Sequence, residues 1–114
     1  MRLKYNNYNI GGKVIKNNEI YLLRDNQTLQ NLVLSSTCLN RNQQTTGHRH
    51  ADQEEIYFFV DGRGHMIVGD EDTKPFRVTH GDIVLIPAGA FHRVINDGES
   101  ILIFNCVFQG SRNH

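Results

Sequence analysis

The stretch GDIVLIPAGAFHRVIN, residues Gly81 to Asn96, compresses a strand, a turn and a second strand into one short run. Ile83–Ile86 is apolar, rich in β-branched residues and bounded by turn residues, which reads as a strand. Ile86-Pro87-Ala88-Gly89 fits a type I turn, with proline at its second position and glycine at its fourth. A hairpin then carries His92 onto the next strand. Asn96 follows four residues later on the same side, and Arg93 faces outward. A single histidine so placed is ordinarily a core or rim residue, so its meaning depends on the rest of the chain.

Outward from this stretch the same signals recur. Short β-prone runs lie at 19–24, 29–39, 45–50, 54–60, 64–69, 75–79, 83–86, 91–96 and 100–108. Asp61-Gly62 and Asp97-Gly98 suit two-residue hairpin turns. No long segment places apolar residues at helical spacing. Many short strands at close intervals predict an all-β sandwich or barrel. Residues 1–18 are polar and weakly patterned and read as an arm or edge strand; residues 19–114 read as one domain.

The chain has 114 residues and a formal net charge of zero. Neutrality gives no electrostatic case for a nucleic-acid partner or an anionic membrane. No apolar run approaches the roughly 20 residues that span a bilayer. MRLKYNNYNIGGK lacks the apolar centre of a signal peptide, which points to the cytoplasm. Cys38 and Cys106 lack metal-type spacing and read as free, buried thiols.

The second informative stretch is GHRHADQEEIYFF, Gly47 to Phe59. If residues 45–50 are extended, His48 and His50 project to one side about 7 Å apart at their Cα atoms, and Arg49 to the other. Two imidazoles on one face can share a divalent ion, which then wants a carboxylate as well. Glu54 and Glu55 both follow, and on a strand they face opposite ways. The intervening loop Ala51-Asp52-Gln53 breaks the register, so parity alone does not choose between them.

Taken together the two stretches resemble the paired signature motifs of the cupin superfamily. The first, G-x5-H-x-H-x3or4-E-x6-G, is met by His48, His50, Glu55 and Gly62, with Asn42 at the first glycine. The second, G-x5-P-x-G-x2-H-x3-N, is met throughout by Gly81, Pro87, Gly89, His92 and Asn96. Asn is the ordinary residue most tolerant of left-handed backbone, so the turn at Asn42 can survive. The resemblance implies a jelly-roll (double-stranded β-helix) barrel around one divalent transition metal, whether Fe, Mn, Zn, Ni or Cu. It implies His48, His50, Glu55 and His92 as the ligands, which leaves Glu54 in solvent.

Parity from Glu55 sends Tyr57 and Phe59 inward, and parity from His92 sends Val94 inward. Met66 is expected inside and His65 outside. Plain barrel core is the default reading for Tyr57, Phe59 and Met66. Tyr57 alone among the inward groups carries a transferable proton, although an unperturbed phenol titrates near about 10, and it is the candidate catalytic residue. His65, His80 and His114 read as peripheral.

The chain also looks like mannose-6-phosphate isomerase-like and archaeal glucose-6-phosphate isomerase-like cupins. That implies a proton-shifting enzyme on a small carbonyl or sugar-like substrate. An iron-dependent dioxygenase and a non-catalytic small-molecule binder are the alternatives. A phosphorylated substrate calls for Arg or Lys in the pocket, yet Arg49 and Arg93 point away, leaving Arg24 and Arg77 unplaced. Exposed strand edges predict a homodimer.

Overall fold

The computed structural model describes residues 1–110. It contains nine strands: β1 (Lys13–Asn17), β2 (Tyr21–Asn26), β3 (Leu32–Leu39), β4 (Glu55–Asp61), β5 (Arg63–Gly69), β6 (Phe76–Thr79), β7 (Ile83–Ile86), β8 (Phe91–Ile95) and β9 (Leu102–Gln109). A six-stranded sheet runs β1-β2-β3-β9-β4-β7 and a three-stranded sheet runs β6-β5-β8. All pairings are antiparallel. The fold is the expected all-β jelly roll. Among the described residues no helix is long and apolar enough to cross a membrane.

Alternation drives the layering. In β3, Val33, Ser35, Thr37 and Leu39 are buried while the residues between them are less so. Glu55, Tyr57 and Phe59 do the same in β4. Period-two patterning of this kind commits one face of a strand to the interior. The core between the sheets includes Leu39, Met66, Val94, Leu102 and Phe104. Phe59 and Met66 lie in that core, as their default reading had it. Asn105 is the exception on β9, buried on the outward face; its amide donates to Asn7 O at 3.1 Å. Ile10, fully buried nearby in the sequence, anchors the same N-terminal segment, and its carbonyl accepts from Asn26 Nδ2 at 2.7 Å.

Several local expectations are corrected. Asp61-Gly62 is not a hairpin turn: β4 and β5 belong to different sheets, and the chain turns a corner between them. Gly62 has φ +85° and a Cβ there would lie 2.6 Å from Ile101 O, so the corner needs glycine for both reasons. Asp97-Gly98 likewise passes from β8 to β9 in the opposite sheet. The Pro87 region also crosses sheets, from β7 to β8, and its turn is set one residue later than expected. Ala90 N donates to Pro87 O at 3.1 Å, and Gly89 sits at the third position with φ +81°. Positive φ there belongs to a type II turn, not type I.

Residues 45–50 do not form a continuous strand. Only Gln44 and His48 bridge β8, opposite Ile95 and His92. Gly47, at φ +83°, interrupts the extension between His48 and the bridge at Gln44. Residues 13–17, read only as part of an arm or edge, form β1 at one end of the larger sheet; β7 forms the other end.

Candidate metal centre

The ladder between His48 and His92 is the foundation of the site. His48 N donates to His92 O at 3.2 Å and His92 N donates to His48 O at 3.0 Å. A pair that exchanges both bonds holds its side chains side by side on one face, and the two ring centroids are 4.5 Å apart. His50 is tied to the other motif, since Gly89 N donates to His50 O at 2.8 Å. Its ring lies 4.7 Å from that of His48 and 5.9 Å from that of His92. Glu55 opens β4 with its side chain inward, and Glu54 is exposed.

One donor atom from each of His48, His50, Glu55 and His92 lies within 4.8 Å of the others. His92 Nδ1 is 3.2 Å from Ala90 O, which can only accept, so Nδ1 carries the hydrogen and the Nε2 lone pair faces the cluster. There Nε2 meets Glu55 Oε2 at 2.8 Å, both side chains being nearly inaccessible. A lone pair and a carboxylate at that distance require a positive charge, supplied by a proton or a metal ion. Three imidazoles and one carboxylate suit a borderline divalent cation. The cluster is therefore one that could hold a metal.

His48, His50 and Glu55 line a cavity of about 330 Å³, lined also by Lys16, Tyr21, Thr37, Thr46, Tyr57 and Phe104, with His92 just behind them. The Tyr57 ring stacks on Phe104 at 5.2 Å and 14° and meets His92 edge-on at 5.9 Å. Cys106 lines the same cavity, whereas Cys38 is half-buried on the other face of the sheet. Burial pushes the Cys38 thiol up from its ordinary range, with the Arg24 guanidinium partly opposing the shift.

The remaining candidates lie elsewhere. His65 pairs with Asp97 at 2.7 Å on the far side of the smaller sheet, and His80 is exposed. His114 lies outside the described residues. Arg24 neighbours Cys38 on the outer face and reaches Gly12 O at 3.4 Å; Arg77 lines a separate cleft with Arg63 and His65. Neither lines the cavity. Asn96 is also no part of the donor set. It is 1% exposed, donates to Leu39 O and Ser100 O, each at 2.9 Å, and accepts from Gly98 N at 3.1 Å. It secures the corner leading to β9. Lys16, by contrast, lines the cavity from a stretch of sequence that resembles no motif.

A family model described as the cupin domain matches residues 36–108. The chain belongs to the cupin domain family. Among curated relatives, acireductone dioxygenase 4 of Oryza sativa subsp. japonica is 38% identical over 65 residues, covering 55% of this chain and 35% of that protein. Glucose-6-phosphate isomerase of Thermococcus litoralis is 27% identical over 106 residues, covering 84% of this chain and 56% of that protein. This cupin thus spans between about a third and just over half of the length of these relatives. Among solved structures, TT1209 from Thermus thermophilus aligns at TM-score 0.72 and 22% identity, covering 82% of this chain and 86% of that one. Oxalate decarboxylase of Bacillus subtilis, in a study of its Mn(II) centres, aligns at TM-score 0.77 and 18% identity over 90% of this chain and 29% of that one. These two structural likenesses bear on the fold alone.

Proposed function

We propose that this cupin holds one divalent transition metal through His48, His50, Glu55 and His92 and is a small-molecule enzyme, shifting a proton on a carbonyl or sugar-like substrate. The observation that carries the reading is the convergence of four donor atoms within 4.8 Å, three of them from residues on the wall of an open cavity. An ion held there would polarise a substrate carbonyl or hydroxyl oxygen. Tyr57, braced by Phe104, is the group proposed to hold and deliver the proton at its phenolic oxygen. Leu23, Tyr21 and Phe104 make part of the wall apolar, which limits water around the reacting atoms.

The likeness to acireductone dioxygenase supports a second reading, iron-dependent dioxygenation on the same four ligands. The donor set suits iron, manganese, nickel, copper and zinc alike, so the readings part on chemistry. Purified protein is expected to contain close to one ion per chain by elemental analysis. The double change His50→Ala with Glu55→Ala is expected to lose the ion, and Glu54→Ala to keep it; retention by the double variant would overturn the ligand assignment. Isomerisation predicts exchange of a substrate C–H proton in deuterated water without oxygen uptake. Oxygen uptake with substrate would replace it by the second reading, and neither signal would leave a binding protein.

A further inference from the structure

Strand β1 carries a device that neither motif uses. Its pairing with β2 runs Lys13↔Asp25 and Val14↔Arg24, then jumps to Lys16↔Leu23 and Asn17↔Leu22, leaving Ile15 opposite no residue. Residues directly opposite across an antiparallel ladder share a face. Leu23 is buried and lines the cavity of the histidine cluster, and Lys16, opposite it, lines the same cavity. Without the extra residue, Ile15 would oppose Leu23 and face the cavity, while Lys16 would oppose Leu22 and face out. Bulges next to functional sites re-aim side chains in this way. Here the bulge exchanges an isoleucine for an ammonium group.

Few charges surround that ammonium. Among the residues lining the cavity, Lys16 is the only lysine or arginine and Glu55 the only carboxylate. Glu55 is engaged with His92 in the interior, whereas Lys16 is exposed at the mouth. Among the described residues Lys16 makes no ion pair. A cation facing a cavity whose one lining carboxylate is already engaged suits an anionic ligand.

We infer that Lys16 is a specificity-determining residue that binds the anionic group, a carboxylate or a phosphate, of the small molecule taken into this cavity. The inference rests on the proposed reading of the cavity as the substrate site. It supplies the pocket cation that Arg24, Arg49, Arg77 and Arg93 do not.

The test uses isotopically labelled protein, zinc-loaded and chelator-treated, titrated with inorganic phosphate, gluconate and glucose while backbone amide shifts are followed. Shifts at the cavity are expected with phosphate or gluconate at lower concentration than with glucose, and whichever anion binds more tightly names the source of the charge. Lys16→Met is expected to weaken anion binding by about tenfold, the scale of one charge-assisted contact, and to leave glucose binding and zinc content unchanged. The exchange Ile15→Lys with Lys16→Ile keeps net charge and is expected to lose as much. Both positions are exposed on an edge strand, and the amide spectrum itself reports whether the variants fold. Anion affinity that is unchanged in either variant, equal to that for glucose, or absent in both forms would overturn the inference. Loss of zinc binding alone would count against the metal reading instead, because anion shifts in the chelator-treated protein that vanish in Lys16→Met still sustain the role of Lys16.

Discussion

Asn42 shows how much one residue can be read from its chemistry. It occupies a glycine position of the first motif and adopts φ +64°, as its tolerance of left-handed backbone allows. Its N–H donates to Asn96 O at 3.0 Å, so the turn joins the beginning of one motif to the end of the other. A β-branched side chain cannot take this conformation cheaply. Asn42→Val is expected to destabilise the fold by about 1–2 kcal/mol, and Asn42→Gly to change it by less than about 1 kcal/mol. Denaturant unfolding of the two variants checks this; equal losses would mean that the side chain, not the backbone, is what the position needs. Lys16 marks the opposite case. Its direction depends on a bulge one residue away, and a bulge has no signature in a weakly patterned polar stretch.

At the scale of elements, the strands were legible and their partners were not. Alternation locates β3, β4 and β9 because each buries one face. A strand-turn-strand pattern, however, is the same whether the chain folds back within a sheet or turns a corner to the next. That is why Asp61-Gly62, Asp97-Gly98 and the Pro87 turn all read as hairpins and are not. The segment 45–50 is similarly ambiguous, being held by the bridge at His48, by single backbone bonds and by side chains. Arg93 Nε and a terminal nitrogen donate to Thr45 O at 3.2 Å and Thr46 O at 2.6 Å. Arg49 donates to Gly89 O at 3.2 Å, and the guanidinium groups of Arg93 and Arg49 lie over the Phe91 ring, at 5.3 and 5.9 Å. The outward arginines therefore hold the loop that presents His48 and His50. Gly47 completes the fit, since a Cβ there would come within 2.5 Å of the Phe91 ring. Arg93→Met is expected to weaken metal affinity by about tenfold or more, as loss of groups that orient ligands does. Arg49→Met should cost less, since its bond to Gly89 O and its 3.9 Å ion pair with Asp70 are both exposed to solvent. Competition against a chelator measures both, and an unchanged affinity for Arg93→Met would remove the arginine from this role.

Across the whole molecule, the four donors come from separate parts of the fold. Glu55 begins β4 in the six-stranded sheet, His92 lies on β8 in the three-stranded sheet, and His48 and His50 sit on the bridging segment beside it. An ion bound by all four would pin the two sheets to each other and order the loop at once. The native state supplies this convergence and an unfolded chain does not, so metal binding must add to folding stability. At a free-ion concentration about a hundred times the dissociation constant the gain is about 2.7 kcal/mol. For a domain of this size that corresponds to a rise in Tm of about 10 °C. The expected result is a Tm that climbs with added zinc or manganese, falls back with chelator, and responds much less to either in Glu55→Ala. Glu55→Ala leaves three imidazoles, so its rise should be smaller at the same ion concentration, in proportion to whatever weaker affinity it keeps. A wild-type Tm indifferent to every divalent metal tried would show that the sheets are held by the apolar core alone. The short His92–Glu55 contact would then need its positive charge from a proton.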